Sequence, residues 1–286
     1  MAPAAGPLLA VDAPSLLYRA FFALPDSIKG PDGRPRNALL GCANLLLQAH
    51  ERFGPRATVL CFGEEAAHYR VELFEGYHAD RPPMPDDLEH QWRMAREFFE
   101  AFGFLVHRHD ELEADDLLGA YARVETEAGG TAMLFTGDRD MFQCVSASVR
   151  VLWPGGKEGP QPIDVAGVRA RYGIEPSQVP DFIALRGDPS DGIPGAKGIG
   201  EKTARDLLSE HGSLDALLEL PISLKPRVRG TLETQRDELL AFRRMATLQP
   251  VDVERPADAP LDAQRAAAMA EEHGMARLAS RLTGLR

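Results

Sequence analysis

Carboxylates recur beside the short apolar runs of this chain. Asp12 closes LLAVD, Asp138 and Asp140 follow TAMLF in FTGDRD, and Glu113, Asp115 and Asp116 crowd into ELEADDLLG. Asp188 and Asp191 share the segment RGDPSDG. A single aspartate after a strand reads as a turn former or helix cap, and acidic side chains at a helix start suit its free N–H groups and dipole. The group at Glu113, Asp115 and Asp116 exceeds what a cap requires, because its mutual repulsion must be offset by cations. Hard oxygen ligands of this kind suit magnesium or manganese rather than zinc or copper.

Such groups need a scaffold to converge. Leu8 to Val11, Thr58 to Phe62 and Thr131 to Phe135 read as buried strands. Asn37 to Phe53 predicts a helix with Asn37 as its N-cap, an apolar stripe at Leu39, Leu40, Ala43, Leu46 and Leu47, and Gly54 as its stop. Ala114 to about Glu127 predicts another helix. Strands alternating with helices imply an α/β fold with a doubly wound parallel sheet, whose ligands gather at the carboxyl ends of the strands. Asp12, Asp138 and Asp140 fall at that edge.

A smaller helical region begins near Glu175. Its centre runs from Arg186 to Leu220, where Gly195, Gly198 and Gly200 precede a helix from Glu201 to Gly212, and Ser213 caps another. Glycines allow close backbone approach, and the N–H groups of a new helix favour an anion such as a DNA phosphate. Lys197, Lys202 and Arg205 add positive charge, tempered by Glu201 and Asp206. The stretch Lys225 to Arg244 is also net basic, which fits either nucleic-acid contact or a solvated helix face. The tail after Pro250 carries no recognisable chemistry.

Composition sets outer limits. At 286 residues, with 44% hydrophobic and 26% charged residues, the chain is an ordinary globular protein rather than a disordered or fibrous one. Cys42, Cys61 and Cys144 are too few for a disulfide framework and lack zinc-site spacing. No apolar stretch reaches the roughly 18 residues of a membrane span, so a cytoplasmic protein is expected. The net charge of −11 excludes a wholesale basic coat, which confines any nucleic-acid contact to patches.

Four segments together resemble the 5′-nuclease family, the 5′-3′ exonuclease domain of bacterial DNA polymerase I and its flap-endonuclease relatives: LLAVDAPSLLYRAFFALP, ELEADDLLG, FTGDRDMFQ and RGDPSDGIPGAKGIGEKTA. The resemblance runs over about residues 8 to 245. It implies a PIN-like catalytic domain over 1–174, with a helical arch near 77–102. A helical DNA-binding region over 175–286 would hold a helix-hairpin-helix type element (helix-three-turn-helix) at 186–212.

Carried over by motif, the resemblance makes Asp12, Glu113, Asp115, Asp116, Asp138, Asp140, Asp188 and Asp191 metal-site carboxylates. It adds Arg19, Tyr77, His78 and Arg81 to the catalytic machinery. Gly195, Lys197, Gly198, Gly200, Lys202, Thr203 and Arg205 become DNA contacts. The family strand matching TVLCF normally ends in aspartate, where this chain has Gly63, and the lysine usual after the tyrosine is His78. A weakened metal position and altered activity are expected from these departures.

In the arch segment, Pro85 starts a helix with Leu88, Trp92, Ala95, Phe99 and Phe102 on one stripe, Arg93 and Arg96 on other faces, and Gly103 as its stop. That stripe predicts packing onto the sheet, with Trp92 or Phe98 stacking on a threaded base as the alternative. Tyr18 divides similarly between core and site.

The expected function is a free-standing structure-selective 5′-3′ exonuclease or flap endonuclease using magnesium or manganese, with two ions in an in-line displacement and one site weakened. A potassium ion at the helix-hairpin-helix element extends the cofactor set. The partners implied are DNA with 5′ ends or flaps, RNA–DNA hybrid, and a separate polymerase and ligase, with the chain as a monomer away from membranes. The competing expectation is a DNA-structure-binding protein that lost efficient hydrolysis through Gly63 and His78.

Overall fold

The computed structural model describes residues 6–156 and 158–285. Its centre is a six-stranded sheet in the order β3-β2-β1-β4-β5-β6. The strands are β1 (Leu8–Asp12), β2 (Ala57–Phe62), β3 (Leu105–Arg108), β4 (Ala132–Phe135), β5 (Val149–Trp153) and β6 (Gln161–Ile163). All neighbours run parallel except β6, which is antiparallel to β5. Every residue of β1, β2 and β4 is buried, as expected of strands covered on both faces. The expected strands are therefore present, while β3, β5 and β6 extend the sheet beyond them.

The half built on the sheet carries α1 (Ala13–Ala23), α2 (Asn37–Phe53), α3 (His68–Leu73), α4 (Asp86–Glu100), α5 (Ala114–Glu127) and α6 (Val165–Tyr172). The helical region follows as α7 (Val179–Arg186), α8 (Glu201–His211), α9 (Leu214–Leu218), α10 (Pro226–Thr234) and α11 (Arg236–Ala246). The chain then returns through α12 (Ala263–Glu272) and α13 (Ala276–Thr283). Among the described residues, no helix is long and apolar enough to cross a membrane.

Two cores sandwich the sheet. On one face Leu9, Val11 and Leu60 meet Leu46, Leu47, Phe98 and Phe102, together with Ala266, Leu278 and Leu282 of the last two helices. On the other, Val59 and Leu134 meet Leu117 and Tyr121 of α5, and this core continues into Phe182, Leu208 and Phe242 of the helical region. Within the region expected over 175–286, the last two helices, α12 and α13, bury their apolar residues against the sheet and α4.

Local chemistry explains where elements start and stop. Gly54 ends α2 in the left-handed conformation at φ 54°, as expected. Asn37 is not the cap of α2: Arg36 holds that position without a side-chain bond, and the Asn37 amide donates to the carbonyls of Phe21 and Leu24 at 2.7 and 3.0 Å, tying α2 to the end of α1. Ser213 caps α9, accepting from the Ala216 N–H at 3.2 Å. In α4, Phe98 is fully buried beside Phe99 and Phe102 and is unavailable to a base, while Trp92 is only half-buried.

Candidate active site

β1 and β4 are the central pair, and the order of the strands reverses about β1, which is where a doubly wound sheet opens a crevice at its carboxyl edge. Asp12 ends β1, and Asp138 follows β4 by a short turn. A cavity of about 500 Å³ lies there, bounded by Asp12, Glu113, Asp115, Asp138, Asp140 and Asp191. Asp188 lines a neighbouring hollow that shares Asp138 and Asp140. The distant acidic segments of the sequence converge on one edge of the fold.

Backbone and hydroxyl donors hold the first carboxylates. Asp12 accepts from the Ser15 N–H at 2.9 Å, capping α1, and from the Thr136 hydroxyl at 2.6 Å. The same Thr136 oxygen accepts from the Asp138 N–H at 2.9 Å, and Asp138 accepts from the Asp140 N–H at 2.8 Å. Thr136 therefore sets two carboxylates at once, a role the sequence reading missed although the residue stands inside FTGDRD.

Glu113 and Asp116 are engaged elsewhere. Arg70 of α3, which is buried, places its guanidinium 2.7 Å from Glu113 and 3.2 Å from Asp116. Tyr77 donates its hydroxyl to Glu113 at 3.0 Å, and the Ala67 N–H donates to its other oxygen at 2.8 Å. Asp116 also accepts from the Gln249 N–H at 2.8 Å and does not border the cavity. Asp116, expected among the metal-site carboxylates, thus stands behind Arg70 and pairs with it. Nothing in AHYRVEL marks Arg70, which acquires its role only through folding.

Arg186 stands 2.7 Å from Asp188, and Arg81 stands 3.5 Å from Asp191. Asp12, Asp115, Asp138 and Asp140 are left without an ion pair among the described residues. Burial, reinforced by the charges of Asp138 and Asp12, pushes the Asp115 carboxyl well up. Burial and Asp138 do the same to Asp140. Burial also raises Asp12, against the hydrogen bond from Thr136, and lifts Asp138 to about 7.

Arg70, Arg81 and Arg108 also line the cavity, yet none of these four carboxylates pairs directly with a cation among the described residues, and all their donor atoms are oxygen. Among the described residues, no three His, Cys, Asp or Glu side chains close tightly enough to enclose a metal ion. Carboxylates on the walls of a roomy cavity nonetheless fit magnesium-type ions, which keep several waters and take few protein ligands.

His78, expected in the catalytic machinery, lines the cavity. It has φ 54°, a left-handed conformation uncommon outside glycine. Its ring stacks on Tyr77 with centroids 3.9 Å apart, and its nitrogens face the Glu65 carbonyl at 2.7 Å and Asp191 at 3.1 Å. The side chain joins the Glu65 backbone to the loop of Asp191. Gly192, at φ 75°, lets that loop close in, since a β-carbon there would lie 2.5 Å from the Gly76 carbonyl oxygen.

Arg19 is exposed on α1, donating to the Gly155 carbonyl at 3.4 Å. Tyr18 is half-buried, its ring edge-on to Trp92 at 6.4 Å.

In the helical region, Gly200 precedes α8, whose start has no side-chain cap. Lys197, Gly198, Gly200 and Lys202 are exposed and Thr203 is half-buried, whereas Gly195 is buried against the backbone of Arg186 and Gly187 and offers no surface. Arg205 pairs with Asp206 at 3.1 Å. In the basic stretch around α10 and α11, Arg229 and Arg236 donate to the carbonyls of Pro221 and Leu218 and Arg243 pairs with Asp215 at 2.8 Å, while Lys225, Arg227 and Arg244 are exposed.

Comparison with known proteins agrees with this architecture. Residues 7–173 match the family described as 5′-3′ exonuclease, N-terminal resolvase-like domain, and residues 174–283 match 5′-3′ exonuclease, C-terminal SAM fold. The thermostable DNA polymerase I of Thermus thermophilus is 38% identical over 253 residues, covering 87% of this chain and 30% of that protein. DNA polymerase I of Caldicellulosiruptor bescii is 36% identical over 244 residues, covering 84% and 29%. The chain thus spans under a third of these relatives.

Among solved structures, the phage T5 5′-exonuclease with bound divalent zinc superposes with a TM-score of 0.69 at 17% identity, over 97% of this chain and 98% of that one. The catalytic core of Rad2 in complex with DNA substrate superposes with a TM-score of 0.61 at 15% identity, over 97% and 91%. The two family models together span residues 7–283, and the chain belongs to the 5′-3′ exonuclease family.

Proposed function

We propose that this chain hydrolyses phosphodiesters near the 5′ ends of structured DNA, as a 5′-3′ exonuclease or flap endonuclease dependent on magnesium or manganese. The observation that carries the reading is the cavity in which Asp12, Asp115, Asp138 and Asp140 stand without ion pairs. Those four would hold the ions, with Asp191 and Asp188 at the margin and Glu113 shared with Arg70. Bound divalent ions would stabilise charge on the phosphate and acidify an attacking water.

The chain's own residues orient and hold. Thr136 keeps Asp12 and Asp138 in register. Arg81, at the rim, and Arg19, exposed on α1, can receive phosphate oxygens, and Tyr18 with Trp92 offers ring surface to an unpaired base. The free N–H groups of α8, with Lys197 and Lys202, would hold duplex backbone without reading sequence. A potassium ion at this turn, cleavage of RNA–DNA hybrid, and action as a monomer beside a separate polymerase and ligase in the cytoplasm belong to the same proposal.

The test is incubation with a 5′-flap duplex and manganese. Wild type should release short 5′ products and Asp138→Ala should not. Binding without cleavage in wild type would establish a DNA-structure-binding protein instead.

A further inference from the structure

Gly63 directly follows β2 and lines the cavity, where the family resemblance places an aspartate. A β-carbon built on Gly63 would fall onto the Leu112 carbonyl oxygen and lie 2.5 Å from both the Ala114 nitrogen and the Glu113 carbonyl carbon. All three are backbone atoms, so no rotamer change relieves the clash. Gly63 is absent from the positive-φ glycines, and close approach alone therefore demands a residue without a side chain.

The surroundings are laced to the same segment. The Glu64 N–H donates to the Leu112 carbonyl at 2.9 Å, and the Ala67 N–H donates to Glu113 at 2.8 Å. The His109 N–H donates to the Phe62 carbonyl at 3.1 Å. The start of α5 is thereby drawn against the end of β2, and Glu113 and Asp115 ride on that start.

We propose that Gly63 is a positioning residue: the Leu112–Ala114 backbone occupies the space a side chain would need, and this contact sets Glu113 and Asp115 against Asp12 and Asp138. The proposal rests on the metal-nuclease reading above. The missing aspartate is then a rebuilt wall rather than a vacant ligand position, and restoring it pushes the acidic segment away.

Full-length wild type, Gly63→Ala and Gly63→Asp, each stripped of metal, are titrated with manganese without DNA, below their own melting temperatures. Wild type should bind manganese. Gly63→Ala should bind about 10-fold or more weakly, the loss typical when a residue supporting metal ligands is removed. That loss should shrink in an Asp115→Asn background, because the glycine acts through that carboxylate. Gly63→Asp should gain neither sites nor affinity, and its failure to fold would equally bear out the clash. Tighter or additional manganese binding by Gly63→Asp at an unchanged melting temperature overturns the proposal, as does unaltered binding by Gly63→Ala. Absence of manganese binding in wild type overturns the metal reading itself.

Discussion

The Arg70 guanidinium stands 2.7 Å from Oε2 of Glu113, and both side chains are shut away from solvent. Its second nitrogen reaches Asp116, its Nε donates to the Met245 carbonyl at 3.0 Å, and the rings of Tyr69 and Tyr77 flank it at 5.1 and 5.9 Å. One cation thus joins α3, α5 and the end of α11.

Removing that cation strands two buried carboxylates. Arg70→Met should lower unfolding free energy by about 3–5 kcal/mol, measured by urea denaturation without metal. Adding Glu113→Gln should recover part of the loss. A cost near zero would show that the pair is solvated in solution.

Stability without metal should depend on pH in a direction opposite to ordinary acid denaturation. Burial lifts Asp138 to about 7 and also raises Asp12, Asp115 and Asp140. The folded state then holds protons that the unfolded state releases, so stability falls as pH climbs from about 4 through these raised values. His50, pushed down to about 4 by burial, works the other way. Comparing wild type with Asp138→Asn cancels that term: in chelator, wild type should lose more melting temperature between about pH 5.5 and 7.5 than the variant. Manganese should restore wild type most at the upper pH, by linkage to the folded state. Identical pH profiles for the two proteins would contradict the raised carboxyl.

Salt titration of DNA binding separates contacts from bystanders. Lys202→Ala should flatten the slope of log affinity against log salt by about 0.9 on duplex DNA. Arg243→Ala should leave the slope alone and cost stability, since its partners are Asp215 and Asp181. Equal slopes for wild type and Lys202→Ala would return that lysine to plain solvent.

Aromatic residues of α4 should split by burial. Phe98→Ala opens a hole in a fully packed core and should cost about 3–5 kcal/mol. Trp92→Ala should weaken single-strand binding, since stacking contributes about 1–3 kcal/mol per base, while leaving affinity for blunt duplex unchanged.

Much of the frame was legible because its signals are local. Gly54, Gly212 and Ser213 mark the ends of helices by their own backbone and side-chain chemistry, and the runs of β1, β2 and β4 are apolar because both faces are covered. The carboxylates announced themselves by crowding. Arg70 did not, because an arginine in a short polar helix looks solvated until Glu113 and Asp116 are folded around it. Asn37 misled for a related reason: asparagine favours caps, yet here two carbonyls of the preceding segment compete for its amide. The outer strands β3, β5 and β6 are short or partly exposed and lack the unbroken apolar run that betrays a central strand.

The return of α12 and α13 to the sheet makes the polypeptide a loop closed upon itself. Glu125, buried in α5, is gripped by Arg56 ahead of β2 and by Arg255 from the returning segment at 2.9 Å, while Arg281 of α13 reaches Glu51 of α2 at 2.9 Å. A cut at the junction of the two family segments would therefore leave the first without the floor beneath α4. The helical region proposed to hold duplex is thereby strung between two moorings on the sheet domain proposed to cut it. On that reading, the fold itself would set the distance from anchored phosphate to scissile bond.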